Sequence, residues 1–132
     1  MKRFLLIVSL LFVSAAGLFA QEDDDNDTNE SIRDKMNEYI QKKLKLSTEE
    51  AKKFSPVFIN YFKEWRSALR QNKNDDILRR QKVADVQLRY RNQFKDIIGE
   101  QRSNQVFGHQ RIFIQEIRML RKERLKKRNG GG

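Results

Sequence analysis

Among its 132 residues the chain has no cysteine, one proline, one histidine and one tryptophan. The absence of cysteine excludes a disulfide framework, a thiolate zinc site and a cysteine nucleophile. The lone His109 excludes a multi-histidine metal cluster. Acidic residues are outnumbered, 18 against 28 Lys plus Arg, for a net charge of +10. No cofactor or metal is expected, and at this length the chain makes one small domain at most.

Residues 1–20 combine Lys2 and Arg3, an apolar run from Phe4 to Val13, and a small-residue stretch ending at Ala20. This is the pattern of a secretory signal peptide. A membrane span needs ~20 apolar residues, more than this run supplies, which favours a cleaved leader and export. Residues 21–30 carry Glu22, Asp23, Asp24, Asp25, Asp27 and Glu30 without an apolar side chain. Such a run repels itself and buries nothing, so an acidic disordered linker is expected there, one that could fold back on a basic body. From Ser31 onward 26 bases face 12 acids.

Residues 31–128 read as an all-α domain of about four helices, followed by a fraying tail at 129–132. The first helix is expected from an N-cap at Ser31 to about Lys45, with Ile32, Met36, Ile40 and Leu44 at four-residue spacing. The second opens on Leu46-Ser47-Thr48-Glu49-Glu50-Ala51, where Ser47 and Glu50 form a capping box and Leu46 can staple onto Ala51. Phe54, Phe58, Tyr61, Trp65 and Ala68 continue one apolar stripe, with Val57, Phe62 and Leu69 at its edges. Pro56 falls on the opposite side. It either bends this helix or starts a new one with Ser55 as cap, and the continuous stripe favours the bend.

Residues 71–75 suit a turn, with Asn74 or Asp75 capping a third helix that ends before Gly99. Its main stripe is Val83, Val86, Tyr90, Phe94 and Ile97. A second stripe, Ile77, Ala84 and Leu88, implies that this helix touches two neighbours. The fourth helix is expected over about 100–127 through Val106, Phe107, Phe113, Ile114, Ile117 and Leu120. Rods of 24 to 28 residues measure about 36 to 42 Å and leave a thin core. An elongated antiparallel hairpin or bundle follows, which a second copy could complete as a homodimer by covering Ile59, Leu88, Ile112 and Met119.

Laid out in this way, the chain resembles the LTXXQ-motif periplasmic proteins, the Spy/CpxP-like family. Leu46-Ser47-Thr48-Glu49-Glu50 stands where the first motif opens a long helix. Ile97-Ile98-Gly99-Glu100-Gln101 occupies the place of a second copy, without its hydroxyl. The pattern Glu49-Glu50-Ala51, Phe54, Pro56, Tyr61 is similar to the branch described as sensors of extracytoplasmic-function sigma factors. The resemblance implies a curved antiparallel dimer that holds unfolded envelope proteins without ATP, or that reports envelope stress through a membrane anti-sigma or sensor protein.

The residues themselves give such a role a physical basis. Five aromatic residues fall between Phe54 and Trp65, and Arg66, Arg70, Arg79, Arg80, Arg89 and Arg91 surround the second and third helices. Long cationic stems snorkel over apolar surface and suit acidic, partly unfolded partners. The basic end from Arg118 to Arg128 could alternatively meet anionic lipid or lipopolysaccharide. It would also attract nucleic acid, but export and the lack of a recognition motif argue against that. An enzyme is not expected. Asp75-Asp76 and Glu49-Glu50 are adjacent on helices, project 100° apart and read as caps, while His109 reads as a packing residue.

Overall fold

The computed structural model describes residues 26–130. They form four helices: α1 (Asn26–Lys43), α2 (Thr48–Gln71), α3 (Asp76–Ile98) and α4 (Glu100–Gly130). No strand occurs among the described residues, so the fold is all-α. The expected leader, residues 21–25 and residues 131–132 lie outside the described residues.

The helix ends follow local chemistry. α1 starts five residues before the expected cap, so Ser31 is inside the helix and residues 26–30 of the expected linker are helical. α1 closes in a Schellman arrangement: Leu46 N–H donates to the Gln41 carbonyl and Lys45 N–H to the Lys42 carbonyl. Lys45 takes the left-handed conformation, at φ 54°. Ser47 Oγ then accepts the Glu50 N–H at 3.1 Å while the Glu50 carboxylate accepts the Ser47 N–H at 3.0 Å, completing the expected capping box.

α2 runs unbroken through Pro56. The ring lies on the exposed side, where water can replace the missing N–H. Ser55 does not cap a new helix. Its hydroxyl instead accepts from Asn37 Nδ2 and Gln41 Nε2 of α1, at 3.2 and 2.9 Å. Asp75, the alternative to Asn74, caps α3 by accepting the Leu78 N–H. Gly99 ends α3 at φ 87°, ψ 167°, a region essentially confined to glycine. α4 continues past the expected limit of 127 to Gly130.

The chain divides into two units, one of residues 37–109 and one that joins the described residues before and after it. In the first, Phe54 stacks on Phe94 with centroids 4.8 Å apart, Tyr61 meets Tyr90 edge-on at 5.5 Å, and Arg89 donates to Glu64. Position numbers thus rise along α2 as they fall along α3, and the pair is antiparallel. Phe107 of α4 adds a ring 5.3 Å from Tyr61. Phe54, Phe58, Tyr61, Val86, Tyr90, Phe94 and Ile98 are buried, each large side chain contributing ~1.5–3 kcal/mol by leaving water. Ile98 takes the buried position expected of Ile97, which is half-buried, as is Val83. In the second unit Ile32, Met36, Gln110 and Phe113 are buried, and Leu120, expected on the apolar stripe, is exposed.

A Cβ at position 99 would touch nothing, so Gly99→Ala tests backbone conformation alone. It should lower unfolding free energy by about 1–3 kcal/mol. Lys45→Gly, which relieves a left-handed side chain, should raise it by about 1 kcal/mol. Urea titrations followed by circular dichroism measure both.

Candidate functional site

Residues 46–50 and 97–101 meet in space through a residue outside both. Arg102, in the first turns of α4, donates from Nε to the Ile98 carbonyl at 3.0 Å, capping the end of α3. Its guanidinium also clasps Glu50, with Nη1 to Oε1 at 3.1 Å and Nη2 to Oε2 as the second prong. This bidentate pair and the capping bond from Ser47 hold the Glu50 carboxyl down at about 2, well below its ordinary value. At the start of α4 Gly99 fills the cap position: its carbonyl accepts the Ser103 N–H at 3.0 Å, and glycine is tolerated there. Ser103, nearly fully buried, returns its own hydroxyl proton to the Glu100 carbonyl.

The remaining motif residues divide by role. Phe54 and Tyr61 are core, Leu46 and Ala51 are half-buried, and Glu49, Pro56, Glu100 and Gln101 are exposed. The junction of Glu50 and Arg102 ties helix ends together.

The expected partner contacts are scattered. Arg66 is buried at 5% exposure and is not a surface contact. It lies ~100° around α2 from Trp65, off the main apolar stripe, and spacing alone did not reveal its burial. Arg79 is held by Asp76 and the Lys73 carbonyl, and Arg89 by Glu64. Ile59 is half-buried and Arg70 is exposed. Ile112 and Met119 are exposed on the distal part of α4.

Ile77, Ala84 and Leu88 form the clearest surface. They were expected to meet a second helix, yet in the monomer nothing covers them: Ile77 is 79% and Leu88 52% exposed. The reason is geometric. α3 uses Val86, Tyr90, Phe94 and Ile98 against its neighbours, and at 100° per residue the second stripe is centred ~120° around the cylinder from them. Arg80, Arg91 and Lys95 are exposed along the same face, whereas Asp85 and Asp96 lie ~80–100° around the helix from Ile77 at 100° per residue. The result is an apolar stripe edged by cations.

Behind it, a cleft of about 430 Å³ opens between the end of α2 and the start of α3, lined in part by Glu64, Ser67, Lys82, Asp85 and Arg89. Its charges have both signs and compensate locally. Tyr90 donates its hydroxyl proton to Glu64 beside the Arg89 pair, which holds the Glu64 carboxyl below its usual range. Partial burial, together with that carboxylate, pushes the Tyr90 phenol up to about 12. His109 is half-buried, and desolvation with Lys43 nearby lowers its pKa, in keeping with a packing role. Among the described residues no group of three or more His, Asp or Glu could hold a metal ion, and no helix is long and apolar enough to cross a membrane. No protein-family model, curated protein or solved structure matches the chain.

Because Glu50 titrates lower when folded than when unfolded, its contribution to stability is complete above its ordinary value of 4.5 and disappears as pH falls through about 2. Replacing the clasp with Arg102→Met should flatten this acid limb, read as the urea midpoint across that pH range. Glu64 acts in the same direction. Tyr90 acts oppositely: its contribution holds below its ordinary value of 10 and is lost as pH rises through about 12.

Proposed function

We propose that this chain is an exported helical binding protein of the Spy/CpxP-like kind, an ATP-independent holdase or envelope-stress modulator that contacts unfolded or membrane-associated proteins. The observation that carries this reading is the uncovered stripe of α3, where Ile77, Ala84 and Leu88 lie among Arg80, Arg91 and Lys95. Exposed apolar area bordered by long cationic side chains suits weak, adaptable contact with partly unfolded, acidic polypeptide. The capping box at Ser47 and Glu50 and the cap at Gly99 support the family reading, since a long helix starts at each motif position. A homodimer that buries part of the same stripe belongs to this proposal.

The test is aggregation of an unfolding client in the absence of nucleotide. The full chain should suppress aggregation, and Ile77→Glu/Leu88→Glu, which touches no core contact, should weaken suppression by about tenfold, given ~1.5–3 kcal/mol per fully buried aliphatic side chain. Absence of suppression by the unmodified chain overturns the holdase form. Specific capture of a membrane anti-sigma protein would then favour the sensor form. Equal suppression by the double variant removes the α3 stripe as the contact.

A further inference from the structure

The distal half of α4 carries a charge arrangement that the proposal above does not use. Residues 110–130 hold eight bases and two acids, and the helix is continuous through all of them. At 100° per residue, Arg111, Arg118, Arg121, Lys122 and Arg128 fall within one arc of ~120°. Ile114 and Leu125 fall in the same arc. Glu116 and Glu123 lie on the opposite side of the cylinder. Sequence spacing of 3 and 4 thus sorts the signs: one face is wholly cationic and both carboxylates are turned away from it.

This face is open. Arg111, Arg118, Lys122 and Arg128 are exposed, and Leu125, near the centre of the arc, is 42% exposed. From position 111 to 128 the row extends about 26 Å at 1.5 Å per residue. Helix-dipole compensation accounts for cations in the last turn only, since the effect fades within one turn. It does not account for Arg111 or Arg118, more than two turns upstream, nor for the exclusion of acids from one side.

We infer that residues 111–128 of α4 form a docking face for an anionic phospholipid bilayer, with the helix lying flat on the surface. The cations match a layer of phosphate headgroups, which attracts each nearby Lys or Arg independently of sequence. Leu125, at the angular centre of the arc, and Ile114, about 16 Å back along the helix at 1.5 Å per residue, supply what a purely ionic ligand would not require: apolar atoms within the charged arc, placed to enter the boundary between headgroups and acyl chains. A soluble polyanion would complement the charge and leave Leu125 without a role. The inference does not depend on the α3 stripe and stands or falls separately from client binding.

Sedimentation of the full chain with vesicles made of equal parts phosphatidylglycerol and phosphatidylcholine tests it, the apolar amino-terminal run being common to every variant. The unmodified chain should bind these vesicles, bind pure phosphatidylcholine far more weakly, and lose affinity as ionic strength rises. Arg118→Gln/Lys122→Gln/Arg128→Gln should weaken binding by at least about tenfold, whereas Arg124→Gln/Lys126→Gln/Lys127→Gln, with the same change in net charge, should stay within about threefold. Leu125→Gln should weaken vesicle binding by about threefold and leave binding to a single-stranded oligonucleotide unchanged.

Equal losses in the two triple variants would overturn the inference, because net charge and not the face would then govern binding. It would equally fail if every variant bound like the unmodified chain, or if the oligonucleotide bound more tightly than the vesicles with Leu125→Gln indifferent in both. Should the first triple variant lose helicity by circular dichroism, Glu116→Gln/Glu123→Gln decides the matter. Removing the negative charge on the far side should leave vesicle affinity within about twofold, and a tenfold rise would overturn the docking face.

Discussion

Everything in the 37–109 unit depends on filling a narrow space between helices with large flat side chains. Rods of this length share little volume, so each contact layer must be closed by one or two residues from each helix. Rings do this well. Phe54 against Phe94 and Tyr61 against Tyr90 and Phe107 tie α2, α3 and α4 together in stacked and edge-on pairs, geometries that add to area burial. Tyr61 can be fully buried because its hydroxyl accepts from Gln87 Nε2 at 3.2 Å. The cost of placing a polar atom in the core is thereby offset.

Aromatic packing alone would tolerate some sliding along the helix axes. The polar contacts at the margins restrict it. Glu50 serves the start of α2 and the Arg102 clasp together, and Arg102 also closes the end of α3, so three helix termini are referred to one pair of side chains. Tyr90 and Arg89 converge on Glu64 farther along α2 and fix its register with α3. These pairs are partly exposed and individually modest in energy. Their value is geometric, since a bidentate clasp is satisfied at one register only.

Burying one side of each helix leaves the other sides to define the surface, and there the sequence is far from neutral. α3 presents aliphatic side chains among cations, and distal α4 presents cations around a leucine.

Much of this was legible in the sequence. The capping box at Ser47 and Glu50, the stop at Gly99, the turn at 71–75 and the buried stripes of α1 and α2 follow from side-chain chemistry within one or two turns of helix, which is local and therefore readable. The start of α1 was misplaced because Ser31 has cap chemistry in a position where the upstream acidic residues continue the helix. Tertiary structure alone decided three matters. It buried Arg66, it brought Arg102 to Glu50 across 52 positions of chain, and it left Ile77, Ala84 and Leu88 uncovered. Periodicity specifies how many faces of a helix are apolar, but which face meets a neighbour depends on where the other helices lie. That is settled by packing between residues distant in sequence, about which local spacing carries no information.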